Sequence, residues 1–90
     1  MLEGNVIVVN PLGLHARAAA QLVRLAGKFR SQITLWREDT NANANAKSIL
    51  SVLALAAAVG TVIKLEITGE DEQLAFNELS EIFARGFGEI

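Results

Sequence analysis

Apolar residues alternate with polar ones in some stretches of the chain and recur at three- and four-residue spacing in others, so it reads as strands and helices in turn. Residues 3–9 are short and β-branched, a strand ended by Asn10-Pro11. Residues 16–28 carry Ala19, Leu22, Val23, Ala26 and Phe29 as one helical stripe, with Gly27 weakening its end. Residues 32–37 alternate as a strand that buries Ile33 and Leu35, and Glu38-Asp39-Thr40-Asn41 reads as a turn. A weak strand former, residues 41–45, returns from that turn and needs a hairpin partner to stay extended.

A second helix is predicted to open at Ser48 and run to about residue 58, where Gly60 stops it. Residues 61–68 form a fourth strand with Ile63, Leu65 and Ile67 inward. The last helix runs from about residue 70 to 84, with an acidic first turn and a core face of Leu74, Phe76, Leu79, Ile82 and Phe83. The order βαββαβα predicts an α+β open-faced β-sandwich, a four-stranded antiparallel sheet with three helices on one face. Ile7, Val9, Trp36 and Val62 would then fall on the open face.

The segment after Ser48 is apolar almost all round, more than one core stripe requires. Val52 and Leu55 are the expected core positions. Ile49, Leu50 and Leu53 would join Ala16, Ala20 and Arg24 of the first helix in an apolar patch rimmed by arginine, a reasonable transient interface for a protein partner.

With 90 residues and 51% apolar content, a single domain spanning 1–90 is expected. There is no cysteine, which excludes disulfides and thiolate metal sites and, with no leader segment, points to a cytoplasmic setting. The longest apolar stretch, residues 49–63, is too short and interrupted to span a bilayer, so no membrane partner is expected. A net charge of −2 argues against nucleic acid as a partner. The charges are nonetheless segregated: Arg17, Arg24, Lys28, Arg30 and Arg37 lie in the first half, and seven of the ten acids follow from Glu66 onward. The first helix therefore gains a positive side suited to an acidic protein. One histidine and no glycine-rich phosphate loop imply neither metal nor cofactor.

The candidate chemistry sits at Asn10-Pro11-Leu12-Gly13-Leu14-His15-Ala16-Arg17, where an irregular turn meets the first helix. A helix start leaves amides unpaired and concentrates positive dipole, so it can hold an anion. His15 brings a nucleophilic imidazole to that place and Arg17 a planar cation suited to phosphate oxygens. A histidine at such a junction also occurs as an ordinary cap or surface residue, and Arg17 as a solvated charge. Ser48 has two readings too: it is a good N-cap for the second helix, and it is a candidate regulatory phosphorylation site.

The pattern Asn-x-x-Gly-Leu-His-Ala-Arg resembles the active-site signature of the HPr-type histidine phosphocarriers of the bacterial phosphotransferase system. Asn45-Ala46-Lys47-Ser48-Ile49 and Gly69-Glu70-Asp71-Glu72-Gln73 extend the likeness over nearly the whole chain. The resemblance implies that His15 accepts a phosphoryl group on Nδ1 from enzyme I charged by phosphoenolpyruvate, that Arg17 stabilises it, and that it passes to a IIA-type protein. It implies a carrier that is an intermediate in transfer rather than a complete enzyme, here expected as a monomer, and a dedicated HPr kinase as a further partner acting on Ser48. Ala18 departs from the proline that many members carry, which leaves one more amide donor at the helix start and predicts an altered transfer rate or phosphohistidine lifetime without loss of transfer. Ala18 and the closing Phe83-Ala84-Arg85-Gly86-Phe87-Gly88-Glu89 look closer to the nitrogen-related regulatory branch than to sugar transport. Two rival readings stay open: a non-transferring interaction module of the same fold controlled through Ser48, and an unrelated ligand-binding sandwich in which His15 is dispensable.

Overall fold

The computed structural model describes all 90 residues, Met1–Ile90. In chain order it has β1 (Leu2–Ile7), α1 (Ala16–Ala26), β2 (Gln32–Arg37), β3 (Ala42–Asn45), α2 (Ile49–Ala54), β4 (Val62–Thr68) and α3 (Glu72–Ala84), with single 3₁₀ turns at Glu38–Thr40 and Gly86–Gly88. The four strands form one antiparallel sheet in the order β1-β4-β2-β3, and the three helices cover one of its faces. This is the α+β open-faced sandwich that the periodicity predicts.

The buried face follows from strict alternation in the two inner strands. Ile33 and Leu35 of β2 stand opposite Ile67 and Leu65 of β4, and Val6 of β1 opposite Ile63. Ile33, Leu35, Ile63, Leu65 and Ile67 join Val8, Leu22, Val52, Leu79 and Phe83 in one cluster of 21 buried apolar side chains, with Val6 packed partly buried against it. Each large aliphatic member contributes about 1.5–3 kcal/mol relative to exposure, which is what holds the helices down. Ala44 of the weak strand β3 is buried against Leu35, so the hairpin partner supplies what propensity lacks. Ile7, Val9 and Val62 are exposed on the open face, as alternation predicts, while the Trp36 indole is half-buried there and donates to Glu66 at 2.6 Å.

Several boundaries differ from expectation, the largest difference being α2, which ends at Ala54 rather than near residue 58. Carbonyls beyond it are claimed from outside the helix: Arg37 donates to Leu55 O and Ala56 O, both at 2.9 Å, and Leu14 N–H donates to Ala57 O at 2.9 Å. Ala56 turns to φ 50°, which breaks the helix before Gly60 is reached. Val52 and Leu55 are buried as expected.

In α3 the expected core residue Leu74 is 55% exposed. The buried ridge is Ala75, Leu79 and Phe83, spaced four apart, with Phe76 and Ile82 packed at its margins, so Leu74 falls about 100° off the ridge. The helix begins at Glu72 because Asp71 is spent elsewhere: its carboxylate accepts from the Arg30 amide, the Ser31 amide and the Ser31 hydroxyl, clasping the α1–β2 loop to the foot of α3. Those bonds, the Ser31 hydroxyl foremost, hold the Asp71 carboxyl below its ordinary range.

Candidate functional site

The segment between β1 and α1 is shaped by Gly13. Its φ is +66°, and a Cβ there would lie 2.4 Å from the Ala57 carbonyl oxygen, so only glycine lets this turn press against the chain that follows α2. Gly13 N–H donates to Asn10 O at 3.1 Å, and the neighbouring Leu14–Ala57 bond ties the two loops together. His15 follows as the N-cap of α1, with extended backbone (φ −76°, ψ −178°). Its ring makes no capping bond to its own helix. The first intrahelical bond runs from Ala19 N–H to His15 O at 2.8 Å, leaving the amides of Ala16, Arg17 and Ala18 without a partner inside the helix.

What the ring touches instead comes from the far end of the chain. His15 Nε2 and Glu89 Oε2 are 2.5 Å apart, and the two side chains are 25% and 14% exposed. The other Glu89 oxygen accepts from Asn10 Nδ2 at 3.0 Å. Asn10 is fully buried, and its second amide proton goes to Gly13 O at 2.8 Å. Its own oxygen has no partner. That orphaned acceptor costs about 1–3 kcal/mol, so the side chain is oriented by its two donations. The Asn10 amide, then the His15 ring and the Arg17 charge, hold the Glu89 carboxyl below its ordinary range against the burial that would raise it.

Glu89 reaches this position through a turn in three left-handed steps after α3: Gly86 at φ 60°, Phe87 at 54° and Gly88 at 77°. A phenylalanine with positive φ costs about 1–2 kcal/mol. Burial of the Phe87 ring offsets it, packed edge-on against Phe83 at 5.1 Å between ring centroids.

Arg17 lies in the first turn of α1 and is 70% exposed, with Nε 3.9 Å from Glu89 Oε2. At that distance and exposure it is a weak partner for Glu89, and its fork is free to turn to an incoming anion. His15 and Arg17 are thus brought to one place, as the motif predicts. Ala16, Ala20 and Arg24 follow on one face of α1, spaced four apart. In α2, Ile49 and Leu50 are exposed, the latter by 77%, while Leu53 is half-buried against the core. Of the residues expected in an apolar patch, Ile49 and Leu50 are therefore exposed, while Leu53 is mostly committed to packing. Ser48 is the N-cap of α2, its oxygen accepting from Ser51 N–H at 3.4 Å. Sequence reasoning missed Glu89 as a site residue and gave Asn10 no role. The glycines on either side of Phe87 are the only local sign that the chain reverses there.

A family model described as the PTS HPr component phosphorylation site matches residues 2–85. The chain belongs to the HPr family. It is 52% identical to the phosphocarrier protein HPr of Xylella fastidiosa over 89 residues, which are 99% of this chain and 98% of that one. The crystal structure of an HPr from Thermoanaerobacter tengcongensis superimposes with a TM-score of 0.94 at 40% identity, covering 100% of this chain and 99% of the other. An HPr dimer from the same organism gives 0.77 at 40% identity, covering 99% and 100%. The chain is accordingly a phosphocarrier of the phosphotransferase system, and no helix in it is long and apolar enough to cross a membrane.

Proposed function

We propose that this single domain accepts a phosphoryl group on Nδ1 of His15 from phosphoenolpyruvate-charged enzyme I and hands it to a IIA-type protein, acting as a shuttle rather than an enzyme with turnover of its own. The observation that carries this reading is the position of the ring: it caps the helix with its backbone while its side chain bonds only through Nε2, to Glu89. The remaining nitrogen is available as a nucleophile beside open amides and a guanidinium that can neutralise phosphoryl oxygens. Ala16, Ala20, Arg24, Ile49, Leu50 and Leu53 form the docking surface, an apolar centre with a basic rim. We further propose Ser48 as the site of a regulatory kinase, since a phosphate there adds about 1.5–2 negative charges beside Ile49 and Leu50, where an acidic partner would dock.

Intact-mass measurement after incubation with phosphoenolpyruvate and enzyme I tests the reading. One acid-labile phosphoryl group, absent from His15→Ala and lost on adding a IIA-type acceptor, is expected. Undiminished labelling of His15→Ala would contradict it and favour the Ser48-controlled interaction module.

A further inference from the structure

Glu89 stands 74 positions from His15, outside the motif that singles out the histidine, yet it makes the one hydrogen bond of the His15 ring. Its surroundings are built to keep it there. A buried asparagine donates to one carboxylate oxygen, the other faces Nε2, and three successive left-handed residues anchored by a buried Phe87 deliver it. We propose that Glu89 is a positioning residue for phosphoryl transfer, its carboxylate keeping the ring proton on Nε2 so that unprotonated Nδ1 faces the donor. The inference rests on the phosphocarrier reading above.

The bonding balances without a proton transfer. The Nδ1 lone pair forms the P–N bond while the donor protein's bond to phosphorus breaks and the donor leaves with that pair. The ring then carries phosphorus on Nδ1 and hydrogen on Nε2, hence a positive charge, which the Glu89 carboxylate neutralises. On onward transfer the P–Nδ1 bond breaks, the ring recovers its electron pair, and it departs as neutral imidazole with Nε2–H unchanged. Had the proton left Nε2 first, the leaving group would be an imidazolate, a far poorer one. Glu89 thus orients the acceptor before transfer and preserves the good leaving group after it. The other charged group at the site is Arg17, which pairs with Glu89 itself from 3.9 Å. Once a phosphoryl group is present, Arg17 has a stronger partner than Glu89, which leaves the carboxylate to the ring.

Two variants separate the parts of this role. Glu89→Gln keeps an acceptor oxygen and removes the charge; Glu89→Ala removes both. Nitrogen NMR of the unphosphorylated proteins at alkaline pH reads the tautomer with no donor required. The expected result is Nε2–H in the native chain and a mixture in Glu89→Ala, whereas the same tautomer ratio in both would overturn the inference. In the phosphorylated proteins, the pH midpoint for spontaneous loss of the phosphoryl group is expected about one unit lower in Glu89→Gln, with onward transfer about tenfold slower above that midpoint. An unchanged midpoint would overturn it too, and a change in melting temperature alone would mark Glu89 as structural. If native protein takes no phosphoryl group from enzyme I, the phosphocarrier reading fails, while the tautomer measurement still decides what Glu89 does to the ring.

Discussion

Two helix starts in this fold use their capping residues in opposite ways. At the start of α2, Ser48 turns its hydroxyl onto its own helix and accepts from the Ser51 amide. At the start of α1, His15 occupies the same position with extended backbone but gives its side chain to Glu89 and none of it to the helix. A serine at α1 would satisfy one of the open amides. A histidine there leaves those amides to a ligand and sets a nucleophile beside them. On the proposed reading of His15, the difference teaches that a helix start is left open for a ligand when its cap is engaged from outside. The site is then assembled from both ends of the chain.

The contrast can be sharpened by substitution at each start. Arg17→Ala should reduce the rate of phosphoryl transfer through the chain by about a hundredfold, the scale for removing one pre-set donor to a transferring group. Its thermal stability should barely change, because the side chain is exposed and touches only Glu89 from 3.9 Å. Stopped transfer assays alongside a melting curve check both halves. Ser48→Ala should do the reverse, costing about 1 kcal/mol or less in chemical denaturation, given a capping contact of 3.4 Å, while transfer rates stay at the native level. A transfer defect in Ser48→Ala, or a large loss of stability in Arg17→Ala, would break the division between a structural cap and a chemical one.

The parts of the fold that were legible in the sequence are those whose cause is local. Alternation in residues 32–37 and 61–68 marks the two inner strands because one face of each must be buried. The turn into α1 was readable from Gly13, His15 and Arg17 together. The end of α2 was not, because it is set by Arg37 and Leu14 capturing the carbonyls of Leu55, Ala56 and Ala57 from other parts of the chain. Leu74 misled for a related reason: the phase of α3 follows the small residue Ala75, which lets the helix sit close to the sheet, and an apolar count favours leucine. Glu89 escaped altogether. Its role depends on a reversal after α3 and on a buried asparagine near the other end of the chain, and neither has a periodic signature.

The central claim is that Nδ1 of His15 carries the phosphoryl group while Nε2 stays bound to Glu89. Nitrogen–proton correlation NMR of the chain phosphorylated by enzyme I, with phosphorus coupling to identify the substituted nitrogen, tests it most directly. The account predicts phosphorus coupling at Nδ1 and a proton retained on Nε2; phosphorus on Nε2, or on any other residue, would contradict it.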